Sequence, residues 1–206
     1  MIKKDHFKKL YCELRKKYGQ PAGQWCLWCQ RPKTEKEEEE VIIGAILTQR
    51  TNWRNVERAM ENLKKQGFAS LRNIVRLGKK KIIPLIQPAG FYKTKANYLF
   101  NLARFIIETY GSVEKMKKIK VHQLREELLK LKGIGPETAD SILLYALAKP
   151  IFVIDEYTRR LVKQRRLAKN LTYAYLQKLF EKNLKKDYRL YQDFHALIVI
   201  DGKNKK

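Results

Sequence analysis

LKGIGPETADSILLYALAKPIFVIDEYTRRL, Leu131 to Leu161, is the stretch whose reading decides the fold of this chain. A Gly-Ile-Gly turn, Gly133 to Gly135, separates two segments with helical periodicity, 121–131 and 136–148. Helix, Gly-apolar-Gly, helix is the pattern of a helix-hairpin-helix. Glycine accepts backbone angles that a Cβ penalises, which explains the two glycines. Backbone N–H groups of such a turn converge with the start of the next helix on one spot that favours an anion. Ile134 is expected to pack inward, and Lys130 and Lys132 add charge. A grip of this kind holds DNA backbone without reading sequence. The plain alternative is an αα-corner with a glycine cap. Further along, the apolar run Pro150–Ile154 ends on one acid, Asp155, ahead of the basic segment EYTRRL. That places a single carboxylate at a helix start, where it can serve as an N-cap.

The charge of the chain agrees with this reading. Its 206 residues carry 45 Lys+Arg against 21 Asp+Glu, a net charge of +24. Such an excess suits a polyanionic partner, because neutralised phosphates release counterions. A lysine-rich surface of other origin and a ribosome-associated protein are the competing explanations. No apolar run approaches the roughly 20 residues that span a bilayer, and MIKKDHFKKL lacks the apolar core of a signal peptide. The expected location is the cytoplasm, at the nucleoid in a prokaryote, and the expected state is a monomer. Cys26 and Cys29 form a C-x-x-C, but only Cys12 and three scattered histidines remain as further ligands, so a structural role is expected for them.

Outward from the hairpin, the periodicity is helical almost throughout. Basic helix 3–18 stops at Gly19 and Pro21, and 19–34 reads as loop. Thr34 can cap a helix whose first turns hold Glu35 and Glu37 to Glu40, followed by VIIGAIL and a second helical stretch. Helices are expected over 70–82 and 93–109, with Pro84, Pro88 and Gly90 between them and Lys93 and Lys95 opening the second. Further helices are expected near 156–167, 172–184 and 187–200, about ten in all. The fold class is all-α.

With these residues on the page, a resemblance is plain. LKGIGPETAD…FVIDEYTRRL resembles the signature of the helix-hairpin-helix DNA glycosylases, the endonuclease III superfamily. AILTQRTNWRNVERAMENL (45–63) and PAGFYKTKANYLFNLA (88–103) resemble earlier segments of that family, in the same order. The likeness covers roughly 34–200. It implies one glycosylase unit over 1–206, in a two-lobed helix-hairpin-helix glycosylase fold with a cleft between lobes. Residues 52–150 would form the lobe carrying the hairpin, and 1–51 plus 151–206 the other.

The resemblance also implies chemistry. Such enzymes flip a damaged nucleotide from duplex DNA and break its N-glycosidic bond. Asp155 matches the catalytic aspartate, which stabilises the cationic sugar and orients or deprotonates the nucleophile. Lyase members carry a lysine two residues after the second glycine; Glu137 stands there and cannot form an imine. The implied enzyme is monofunctional, with water as nucleophile. Glu137 either starts a helix, tunes Asp155 or recognises a cationic base. Gln49 matches the residue that fills the hole left by the flipped base. Gly133, Ile134, Gly135, Lys132 and Thr138 are the remaining expected DNA contacts. Trp25 and Trp28 are candidates for the base pocket, with core packing as the alternative reading. A cationic methylated purine such as 3-methyladenine would gain from their faces.

YQDFHALIVIDGK resembles the helix that precedes a four-cysteine iron-sulfur loop in many relatives. No cysteine follows Cys29 in this sequence, so no such cluster is expected from these residues: either the lineage lost it or the sequence stops short of the loop. A monovalent cation at the hairpin carbonyls stays open. Two rival functions stand beside the main one: an endonuclease III-like enzyme for oxidised or mismatched pyrimidines, and a non-catalytic helix-hairpin-helix DNA-binding protein.

Overall fold

The computed structural model describes residues 5–204, and among these no residue lies in a β-strand. The chain forms two compact units. One is residues 32–142. The other joins residues up to 31 with residues from 143 onward. Residues 32–51, assigned above to the lobe of the chain ends, belong instead to the middle unit. The reason is packing: the helix that follows Thr34 is buried from Glu38 to Leu47, so it forms a core rather than a linker.

The unit of the chain ends contains α1 (Asp5–Tyr18), α2 (Trp25–Cys29), α10 (Glu156–Gln164), α11 (Tyr173–Asn183) and α12 (Tyr188–Asn204). In α1, Phe7, Leu10 and Leu14 recur at helical spacing and are all buried. Phe7 packs on Phe180 of α11, and Phe180 stacks on Phe152 at 4.4 Å. Asp193 of α12 is paired with Arg31 and Arg15.

The middle unit contains α3 (Glu35–Leu47), α4 (Trp53–Lys65), α5 (Leu71–Leu85), α6 (Tyr92–Tyr110), α7 (Val113–Lys117), α8 (Val121–Leu129) and α9 (Pro136–Ser141). Thr34 caps α3 in a reciprocal box. Its hydroxyl accepts from the Glu37 N–H, and the Glu37 carboxylate accepts from the Thr34 N–H. Every residue from Glu38 to Leu47 is buried. Three acids read above as helix-dipole partners are therefore inside, and each has its own donor. Glu38 meets Lys117, Glu40 meets Lys64, and Glu39 accepts the Leu71 N–H. Charges can be buried this way only when paired.

Two short helices, α2 and α7, were not expected. Each has five residues, too few to show a period. At Gly78 the backbone of α5 turns left-handed (φ 73°), and Pro84 falls in the last turn of the restarted helix. The helical stretch read over 136–148 divides into α9 and a π-helical segment, Ile142–Ala146. Among the described residues no helix is long and apolar enough to cross a membrane.

A buried ion pair braces the hairpin. Arg125 of α8 donates two hydrogen bonds, of 2.7 and 3.1 Å, to Asp140 of α9, whose side chain is fully buried. Arg125→Ala strands that carboxylate without its guanidinium and is expected to cost about 3 kcal/mol, as broken buried pairs do. Urea unfolding followed by circular dichroism measures it; a loss under about 1 kcal/mol would mean that water or relaxation replaces the brace.

Candidate active site and nucleic-acid interface

The unit of the chain ends carries the carboxylate. Ile151, Phe152, Val153 and Ile154 are all buried, which drives this extended segment into the core and leaves Asp155 at its end. The backbone of the segment finds partners on α11. The Phe152 N–H donates to Glu181, and Gln177 donates to the Phe152 carbonyl. Asp155 then caps α10. Its Oδ1 accepts from the Thr158 N–H at 2.7 Å and the Thr158 hydroxyl at 2.9 Å. The sequence left capping and catalysis both open for Asp155, and the cap is present.

Oδ2 of Asp155 is not part of the cap. It lies 3.5 Å from Nε2 of His195, and the Asp155 side chain is 13% exposed. Burial alone would push this carboxyl up. The His195 imidazole that faces it, with the bonds from Thr158, outweighs burial and holds it below the ordinary value. Lys203 of α12 donates to Gln24, and burial pulls its ammonium down against the attraction of Asp155.

Trp25 and Trp28, the expected base-pocket residues, stand in the same unit. Each is 6% exposed. Trp25 meets Trp28 edge-on at 5.9 Å and lies against Tyr145 and His195; Trp28 also meets Tyr145. A base stacking on either indole therefore has to displace an aromatic neighbour. Cys29 is buried and Cys26 exposed. Among the described residues no group of His, Cys, Asp or Glu is arranged to hold a metal.

The middle unit carries the hairpin. Gly133 has φ +90°, and a Cβ there would lie 2.3 Å from the Tyr98 ring of α6. Gly135 differs: it is extended at φ −90° and ψ 176°, with open space where a Cβ would stand. Only the first glycine is therefore required by geometry, which corrects the expectation for both. Ile134 is 5% exposed and packs inward as expected. Lys132 is exposed.

Gln49 is latched onto this turn. Its amide donates to the Gly133 carbonyl at 3.0 Å and the Thr138 hydroxyl at 3.1 Å. Gln49, Thr138 and the hairpin glycines line an open groove of about 680 Å³ with Glu137, Tyr98 and Phe91. Glu137 is exposed in the first turn of α9. The sequence reading missed Phe91, a 66% exposed aromatic in left-handed backbone (φ +46°). Holding a bulky residue there stores strain, which points to a role for the protruding ring. It also misplaced Lys95, taken as a basic helix start. Lys95 is 2% exposed, and its ammonium donates to the carbonyls of Leu47 and Ala89 at 2.7 and 2.8 Å. Burial pulls it down to about 8. These bonds tie the end of α3, just before Gln49, to the 3₁₀ turn at Gln87–Ala89.

Comparison with known proteins agrees with this geometry. Residues 43–186 match the family model described as HhH-GPD superfamily base excision DNA repair protein. The chain is 47% identical over 163 residues to the protein of Methanocaldococcus jannaschii named "Putative DNA repair glycosylase MJ1434", covering 78% of this chain and 74% of that one. It is 30% identical to endonuclease III of Thermotoga maritima, over 76% and 70% of the two chains. Among solved structures, the H. pylori 3-methyladenine DNA glycosylase MagIII, bound to 1,N6-ethenoadenine, superposes with a TM-score of 0.79. It is 31% identical and 98% of each chain is covered. An endonuclease III trapped covalently on DNA superposes with a TM-score of 0.75 at 18% identity, over 99% of this chain and 88% of that one, a likeness of fold. A helical hairpin with a glycine-forced turn, a buried carboxylate capping a helix and these matches lead to one assignment: the chain belongs to the HhH-GPD superfamily of base excision repair proteins and is an all-α DNA glycosylase.

Proposed function

We propose that this glycosylase acts on duplex DNA, excises an alkylated purine such as 3-methyladenine, and uses water as the only nucleophile. The observation that carries the proposal is Asp155: a buried carboxylate with one oxygen fastened to Thr158, held ionised although burial opposes it. As the glycosidic bond breaks, positive charge grows on the sugar, and a fixed carboxylate in a desolvated site stabilises it. Oδ2 then accepts the proton of the attacking water. The hydroxyl adds to C1′, the cationic alkylpurine takes the bonding electrons and leaves as a neutral base, and Asp155 returns the proton to solvent.

The DNA-facing residues take roles that follow from their chemistry. The Gly133–Gly135 turn, Lys132 and Thr138 hold backbone phosphate. Gln49, once released from Gly133 and Thr138, offers its amide to the base left unpaired by flipping. Phe91 offers an aromatic face to the disturbed stack. Water as nucleophile is supported by Glu137, which stands where lyase members carry lysine. The alkylpurine reading is supported by the MagIII likeness and by Trp25 and Trp28, which we assign to the wall of the base pocket. The T. maritima endonuclease III likeness supports the second reading, an oxidised or mismatched pyrimidine.

The test is a panel of duplexes with one lesion each: a 3-methyladenine analogue, hypoxanthine, thymine glycol, 8-oxoguanine, uracil and a G·T mismatch. After reaction, abasic sites are opened with hot alkali. Cleavage is expected on the alkylpurine duplex. Cleavage confined to thymine glycol or the mismatch would select the second reading, and no cleavage with tight binding would mean a non-catalytic protein.

A further inference from the structure

His195 is 4% exposed, and its two ring nitrogens have different surroundings. Nδ1 lies 2.7 Å from the hydroxyl of Tyr145, itself fully buried. Nε2 is buried without a hydrogen bond and faces Oδ2 of Asp155 at 3.5 Å, just past hydrogen-bond reach. Oδ1 of the same carboxylate is taken up by Thr158. One oxygen is thus fastened, and the other is faced by a single buried ring nitrogen.

The position of the proton follows from the acceptors. The Tyr145 hydroxyl has one proton and two candidates for it, Nδ1 at 2.7 Å and the Gln192 carbonyl at 3.2 Å. If Nδ1 accepts it, the neutral ring carries its own proton on Nε2. If Gln192 accepts it, Nδ1–H donates to the phenol oxygen, and a neutral ring would set a bare lone pair against a buried carboxylate. That arrangement is repulsive, so the first one is favoured: Nδ1 accepts from Tyr145, and the Nε2–H points at Oδ2. The edge-on contacts of Trp25 and Phe152 hold the ring in this orientation.

We propose that His195, oriented by Tyr145, is a positioning residue that fixes the direction and environment of Asp155 Oδ2 during excision. This rests on Asp155 being the catalytic carboxylate. Other charged and titratable groups reach the trio from each packed element: Cys29 of α2 and Asp193 of α12 toward Tyr145, and Lys203 of α12 toward Asp155. Asp193 is neutralised by Arg31 and Arg15, and Lys203 is engaged by Gln24, so His195 is the group that faces Oδ2 directly.

The experiment measures single-turnover excision against pH for the full chain and two variants. Activity needs Asp155 ionised, so its protonation sets the acid limb of the profile. His195→Gln removes the facing imidazole N–H while burial remains. The limb is expected to move to higher pH and the plateau rate to fall about tenfold, with duplex affinity unchanged. Tyr145→Phe keeps the ring shape and removes the hydroxyl that orients Nδ1, and a smaller move in the same direction is expected. A purely structural role would lower thermal stability and leave the limb in place. Folded variants with an unmoved limb and plateau overturn the proposal; if His195→Gln does not fold, an unmoved Tyr145→Phe profile overturns it alone. Asp155→Asn separates the two readings. Normal excision by that variant would refute the catalytic assignment itself, whereas an inactive Asp155→Asn with unmoved histidine and tyrosine variants would refute only the positioning role.

Discussion

Asp155→Asn is expected to lower base excision by about 10²–10⁴-fold and to leave duplex binding nearly unchanged. The substitution is almost isosteric. Asparagine is as good an N-cap as aspartate, so its carbonyl oxygen can keep the bonds to Thr158 and the fold should survive. What disappears is the negative charge. The amide neither stabilises a cationic sugar nor takes a proton from water. Excision is read from free base released in single turnover, and binding from fluorescence anisotropy on the same duplex. A drop in both together would mean that Asp155 serves the fold, and an unchanged rate would mean that another group does the chemistry.

Gly133→Ala is expected to weaken duplex binding at least about tenfold and to cost roughly 3 kcal/mol or more of stability. Two penalties combine. The backbone sits at φ +90°, which L-residues rarely adopt, and the new methyl group would meet the Tyr98 ring at 2.3 Å. The half-buried Tyr98 ring, which lines the groove, would have to move. The same residue lends its carbonyl to Gln49, so a distorted turn also releases the side chain held for the vacated stack. Gly135→Ala is the internal control, because its space is open and its backbone extended. Lys132→Glu is the electrostatic companion: affinity should fall for all sequences alike, and the salt slope should shrink by about one. Equal effects of the two glycine variants would show that the turn tolerates a side chain and that phosphate is held elsewhere.

The contrast between these two glycines shows what was legible in the sequence. The Gly-Ile-Gly spacing between two stretches of helical periodicity sufficed to place the turn. It did not say which glycine bears the constraint, since that depends on Tyr98, thirty-five residues away. The Asp155 cap was legible because one acid ends an apolar run at a helix start. His195 was not: in YQDFHALIVI it is one polar residue on an apolar helix, and only the fold brings it to Asp155. Lys95 was misread for the opposite reason. Lysine near a helix start ordinarily faces solvent, but here two carbonyls at the ends of neighbouring elements accept it inside. The boundary of the middle unit fell early because VIIGAIL looks like any apolar helix until Glu38, Glu39 and Glu40 are seen buried beside it.

The most direct test of the account follows both products on one duplex carrying the lesion that the panel selects. Reaction is run with and without borohydride, and free base, abasic strand and protein mass are measured together. The account predicts free base in step with an intact abasic strand, and no protein–DNA adduct under borohydride. A trapped adduct with strand cleavage would contradict it, since a lysine, not water, would then attack the sugar in spite of Glu137.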